Sequence, residues 1–144
     1  MSILARTISA CALALIAMPS QTAMAQQSVT SEFGTRADPF HGKRRNHNGI
    51  DIAASQGTAV FATGDGKIER AGWWGTYGII VVISHPSGHE TRFAHLSAVT
   101  VTAGQLVRKG QHIGNIGATG RSTGPHLHYE VRMNGKPLDP RHFM

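Results

Sequence analysis

The sequence predicts a mostly antiparallel β-domain with at most one or two single-turn helices. Three features point there. Apolar runs beyond residue 33 are short and end in turn-forming residues, and 17 glycines, all of them after Phe33, punctuate the chain of 144 residues. No segment carries the 3.6-residue apolar stripe of a helix of useful length. Residues 58–62, 66–71, 79–84 and 90–94 each read as a strand. Thr63-Gly64-Asp65-Gly66, the glycine-rich stretch 72–78 and His85-Pro86-Ser87-Gly88 supply the turns between them. Taken in order, these four strands predict a meander. The run Ile79-Ile80-Val81-Val82-Ile83 is apolar on both faces, which suits a central strand covered on both sides. Residues 105–107 and 112–116 read as shorter strands, and 126–133 as a longer one that ends in an Asn134-Gly135 turn.

The N-terminus is different in kind. Arg6, a largely apolar stretch over 8–18 and Ala23-Met24-Ala25 lay out a secretory signal peptide over residues 1–25. The stretch is too short for a membrane span, which needs roughly 18 apolar residues. A short polar linker is expected over 26–32, followed by one domain over 33–144. An exported chain, periplasmic or secreted and monomeric, is the expectation. The single cysteine, Cys11, lies within the signal, so the mature chain has no disulfide. A composition of 40% hydrophobic and 15% charged residues excludes disordered and collagen-like classes. The formal charge of +6 could serve nucleic acid, anionic lipid or an acidic polymer. For an exported protein the polymer is the natural partner. Lys43-Arg44-Arg45 is the densest basic patch, either a solvated loop or a docking site for substrate carboxylates.

The chemistry lies among the nine histidines. On a strand over His126-Leu127-His128-Tyr129-Glu130-Val131, alternation puts His126, His128 and Glu130 on one face and the apolar residues on the other. Ionisable groups on a partly buried strand are costly unless they bind something or are hydrogen-bonded. His47 and Asp51, four apart with Gly49 between them, fall on one side of an extended segment. His47, Asp51 and one of the two strand histidines make two imidazoles and a carboxylate, a common catalytic zinc set that leaves one coordination position open. One Zn2+ ion and hydrolytic chemistry follow. His95 ends a predicted strand, where it can lean into a groove. His41, His85, His89, His112 and His142 read as ordinary loop histidines. Trp74 and Tyr77, in a glycine-rich stretch, are candidates for substrate contact or for a small satellite cluster. No G-x-S-x-G motif and no mature cysteine support a serine or cysteine hydrolase.

These residues resemble the lysostaphin/LytM family of zinc metallopeptidases, which cleave the peptide part of bacterial peptidoglycan. The resemblance lies in F-G-T-R-A-D-P-F-H-G-K-R-R-N-H-N-G-I-D (33–51), Q-G-T-A-V (56–60), R-F-A-H-L-S (92–97) and T-G-R-S-T-G-P-H-L-H-Y-E-V (119–131). It implies metal ligands His47, Asp51 and His128, and non-ligand catalytic imidazoles His95 and His126. Glu130 is expected behind a ligand histidine, orienting it. Arg44, Arg45, Trp74 and Tyr77 are expected to meet substrate. Phe93 stands where a tyrosine is frequent in the family, and Ser55 and Ala59 where prolines are common. The resemblance implies cleavage of stem-peptide cross-links, D,D bonds by the spacing of the first block, and leaves room for an envelope regulator or adaptor. The rival functions are a non-catalytic wall-binding or amidase-activating module and a zinc D,D-carboxypeptidase.

Overall fold

The computed structural model describes residues 29–37 and 44–143. The strands among them are β1 (Val29–Ser31), β2 (Gly34–Ala37), β3 (Arg44–His47), β4 (Ile50–Ala53), β5 (Ala59–Phe61), β6 (Gly66–Trp73), β7 (Ile79–Ser84), β8 (His89–Val99), β9 (Leu106–Val107), β10 (His112–Ile116), β11 (His126–Met133) and β12 (Lys136–Leu138). Two single 3-10 turns, Gly75–Tyr77 and Pro140–Phe143, are the helical content among the described residues. The main sheet runs β1-β4-β11-β8-β7-β6-β9, with β12 beside β11 and with β10 bridging β8 to β5. The paired strands are antiparallel, and β2 and β3 form a separate ribbon. No helix among the described residues is long and apolar enough to cross a membrane. The signal peptide expected over 1–25, His41 and Lys43 lie outside the described residues.

β7 is the central strand its sequence predicts, with four consecutive buried residues. Its alternate side chains divide between two layers. Val81 and Ile83 enter the main core with Ile50, Ile52, Ile68, Phe93, Leu96, Ile113, Leu127, Tyr129 and Val131. Ile80 and Val82 turn to the other face and pack with Ala94, Trp74 and Tyr77. The sheet thus buries both faces at its centre, and each fully buried aliphatic side chain contributes about 1.5–3 kcal/mol of transfer free energy.

Three expectations need correction. The meander keeps only β6, β7 and β8, because β5 leaves it to pair with β10 and the outer edge of β6 pairs with β9. Part of the span expected as a linker, residues 29–31, is a strand. Val29–Ser31 pairs with β4, Val29 across from Ile52 and Ser31 across from Asp51, and Val29 packs against the core. The segment reads as polar because one apolar side chain is enough to anchor so short an edge strand. Lastly, His95 lies within an eleven-residue β8 instead of closing a strand at residue 94.

That last difference has a local cause. His95 has φ 60°, in the left-handed region that a non-glycine residue rarely occupies. The β7–β8 register steps from Ile79 opposite Leu96 to Val81 opposite Phe93, so β8 spends one residue more than its partner. This is a β-bulge. It shifts the alternation by one: Phe93 and Leu96 both enter the core, while Ala94 packs on the opposite layer. His95 is thereby released from the core phase and turns toward the rings of His126 and His128, with centroids 5.0 and 5.7 Å away.

Candidate metal centre

The site is assembled from β3, β4, β8 and β11 on the sheet face opposite the main core. β11 pairs with β4 so that His128 lies across from Asp51, and with β8 so that His128 lies across from Ala94 and Glu130 across from Arg92. His47 ends β3, and the link through Asn48 and Gly49 returns the chain into β4. Gly49 is required there because a Cβ would overlap the carbonyl oxygen of Tyr129. A glycine in that link lets the His47–Asp51 segment lie directly on β11.

His47, Asp51 and His128 are each buried, at 6–8% exposed. His47 Nε2 lies 3.2 Å from Asp51 Oδ1 and 3.2 Å from His128 Nδ1, and His128 Nδ1 lies 2.8 Å from the same Oδ1. Donor atoms held 2.0–2.1 Å from one ion in a tetrahedron stand roughly 3.3 Å apart, close to this spacing. Hydrogen bonding on the far side of each ring sets what the near side offers. His47 Nδ1 must donate to the carbonyl of Glu32 at 2.7 Å, because a carbonyl only accepts, and this leaves the lone pair on Nε2. His128 Nε2 donates to Glu130 Oε1 at 2.9 Å, leaving Nδ1 as the inward atom. Two imidazole lone pairs and a carboxylate oxygen therefore converge, an arrangement favourable only around a shared cation, whether a proton or a metal ion. The three residues satisfy the fit for zinc in number, type and spacing of donors.

The other two imidazoles follow the same rule. His95 Nδ1 donates to the carbonyl of Thr119 at 2.7 Å, and His126 Nδ1 to that of Gly124 at 2.7 Å. Each keeps Nε2 free of these bonds, and His126 Nε2 lies 3.6 Å from Asp51 Oδ1. Burial holds His95 neutral, lowering its pKa to about 4 against the opposing Thr119 bond, with the neighbouring imidazoles adding to the drop. Burial alone would raise Asp51, but its bonds to His128 and His47 prevail and keep the carboxyl well below the ordinary range. For His128 the desolvation that would lower its pKa is outweighed by Asp51 and Glu130, and the net direction is upward.

Glu130 sits where alternation predicts, behind His128, and is 1% exposed. Its Oε2 accepts from Arg132 Nε at 2.8 Å and its Oε1 from the Tyr77 hydroxyl at 3.0 Å. Desolvation opposes the carboxylate, yet His128 and Arg132 overcome it and hold Glu130 ionised. Tyr77 in turn accepts from Arg92 at 3.1 Å and from Arg132 at 3.3 Å. The guanidinium groups of Arg70 and Arg92 each lie over the Trp74 ring, 4.2 and 4.9 Å from its centroid. Trp74 and Tyr77 thus belong to the second-layer cluster, with the Tyr77 ring 6.1 Å from that of His128.

Arg44 and Arg45 are on β3 just ahead of His47, opposite Ala37 and Arg36. Phe93, one of the family departures, is fully buried, its ring tilted against that of Tyr129 with centroids 5.1 Å apart in the core. The ordinary histidines lie elsewhere: His85 ties the Asp65 carbonyl to Thr91, and His112 caps the Gly114 carbonyl. Arg92 and Arg132 were not singled out from sequence. Arg132 continues the face of His126, His128 and Glu130 by two residues, so the alternation itself was the available signal. The carbonyls of Glu32, Thr119 and Gly124 had none, since any residue carries one.

Known proteins are similar to this chain in sequence and fold. The model of peptidase family M23 matches residues 45–140. DD-carboxypeptidase/endopeptidase Mpg of Neisseria meningitidis serogroup B is 53% identical over 112 residues, covering 78% of this chain and 26% of that protein. A zinc containing peptidase from Vibrio cholerae superposes with a TM-score of 0.73 at 44% identity, over 78% of this chain and 35% of that one. The catalytic domain of lysostaphin from Staphylococcus simulans gives a TM-score of 0.78 at 32% identity, over 86% of this chain and 96% of that domain. The chain spans about a quarter of the length of curated relatives such as Mpg. With the family model matched over most of its length and a whole catalytic domain reproduced by its fold, the chain belongs to peptidase family M23.

Proposed function

We propose that this chain is a zinc-dependent peptidoglycan endopeptidase that hydrolyses D,D cross-links between stem peptides in the cell envelope. The observation that carries the reading is the convergence of His47 Nε2, Asp51 Oδ1 and His128 Nδ1 beside two further imidazoles, each with its far nitrogen already committed. The names of Mpg, a DD-carboxypeptidase/endopeptidase, and of the Vibrio zinc peptidase support the substrate class and the metal.

His47, Asp51 and His128 would hold the ion. Bound zinc supplies Lewis acidity that polarises an amide carbonyl and makes water a competent nucleophile near neutral pH. His95 and His126 present Nε2 toward the reacting groups. One of them takes the proton of the attacking water at Nε2 and returns it to the leaving amine, and the other donates to the developing oxyanion in the form that carries a proton on both ring nitrogens. Glu130 keeps His128 in the tautomer that points Nδ1 inward. Arg44, Arg45, Trp74 and Tyr77 contact substrate in this reading, the arginines pairing with stem-peptide carboxylates. The protein acts as an exported monomer and has no role on nucleic acid.

The test is mass spectrometry of cross-linked muropeptides incubated with the purified chain and zinc. Separation of two stems supports the endopeptidase. Release of terminal D-alanine alone makes it a carboxypeptidase, the other activity in the name of Mpg. Intact cross-links alongside bound zinc make it a binding or amidase-activating module. Replacing Arg44 and Arg45 by Gln, with Lys43, is expected to slow turnover of intact wall more at low salt than at high salt. Unchanged turnover at both would remove the arginines from the substrate side.

A further inference from the structure

Three of the four site imidazoles take their orienting oxygen from groups close to the sheet body: His95 from Thr119 and His126 from Gly124, both in the loop before β11, and His128 from Glu130 on β11 itself. His47 is different. Its partner is the carbonyl of Glu32, on the chain just leaving β1. The same short strand also braces Asp51: Ser31 lies across from it in the sheet, and the Thr30 hydroxyl donates to its main-chain carbonyl at 3.3 Å. Two further contacts fix the strand. Val29 packs against the main core, and Glu32 Oε1 accepts from Arg141 Nη2 at 2.7 Å. Arg141 belongs to the 3-10 turn at the far end of the chain.

We infer that the N-terminal strand is a positioning element of the metal centre, its Glu32 carbonyl holding His47 in the Nδ1–H tautomer with Nε2 turned to Asp51 and His128. This rests on the reading that those three residues hold zinc. Glu32 touches neither ion nor substrate; it acts through the ring. The two anchors are unequal. Glu32 and Arg141 are 71% and 46% exposed at their side chains, so their ion pair is weak, whereas Val29 draws on apolar burial. A strand of three residues with one apolar side chain, followed past Glu32 by Phe33 on the same core, therefore adds to the β4–β11 pairing in holding His47 and Asp51 in place.

The experiment measures zinc affinity of the full chain by chelator competition, together with the imidazole Nδ1–H resonance of His47 in 15N-resolved NMR. Val29→Asp is expected to weaken zinc binding about tenfold or more and to abolish the slowly exchanging His47 Nδ1–H signal. Val29→Ser is the gentler variant should the aspartate not fold. Arg141→Ala is expected to weaken binding about two- to fourfold. Val107→Ala, a buried substitution on the opposite sheet edge, should lower the thermal midpoint and leave zinc affinity and the His47 signal in place. Affinity within about twofold of the parent in the Val29 variants, or a persisting His47 Nδ1–H signal, would overturn the inference, for a strand of purely structural importance would do no more than Val107→Ala. A parent chain that binds no zinc overturns the metal-centre reading itself, and this inference with it.

Discussion

On one side of β11, Leu127, Tyr129 and Val131 pass into a core held chiefly by volume. On the other side of the same strand, His126, His128, Glu130 and Arg132 are held by hydrogen bonds to named partners, each with a fixed donor and acceptor. The two faces share one backbone and one set of sheet bonds, so what separates them is the kind of specification each needs. An apolar neighbour can be replaced by another of similar size at small cost. A buried carboxylate or imidazole cannot, because its partner is then left desolvated and unpaired.

Substitutions on alternate residues can break or sharpen this contrast. His128→Ala should remove a ligand outright, with zinc lost on dialysis and cross-link cleavage falling below about a thousandth of the parent rate. Asp51→Ala and His47→Ala should behave alike. His126→Ala, two residues earlier on the same face, should retain zinc by elemental analysis while its rate falls by about 10²- to 10⁴-fold. Loss of zinc in that variant would exchange the roles of the two strand histidines. Leu127→Ala lies between them on the opposite face. It should cost about 2–5 kcal/mol in chemical denaturation yet keep zinc at temperatures where the chain is folded. Glu130→Gln preserves shape and removes charge, and should weaken zinc binding about 10- to 100-fold with a much smaller change in unfolding midpoint. Tyr77→Phe deletes one hydroxyl from the Glu130–Arg92–Arg132 cluster. A loss of about 1 kcal/mol in stability and a few-fold in affinity is expected from paired titrations. If Leu127→Ala and Glu130→Gln affected zinc equally, the division of labour between the faces would not hold.

What was legible in the sequence was periodic or local. The alternation over 126–133 placed His126, His128 and Glu130 together, and the uninterrupted apolar run of β7 marked the central strand. Spacing brought His47 and Asp51 to one side of an extended segment. The pairing of β5 with β10 was not legible, since the choice between two possible neighbours is made by distant strands. The bulge at His95 inserts one residue without a sequence mark, and simple alternation would have put that ring in the core. β1 was hidden by its polarity. The Tyr77–Arg92–Arg132 cluster depends on cross-strand register, Glu130 opposite Arg92, which no single segment encodes.

Three of the four site rings are steered by peptide oxygens, at Glu32, Thr119 and Gly124. A saturation mutagenesis survey should therefore under-report these positions, because exchanging a side chain leaves its carbonyl in place. Backbone edits such as an amide-to-ester replacement, or a one-residue deletion in either loop, would expose the dependence that amino-acid swaps conceal.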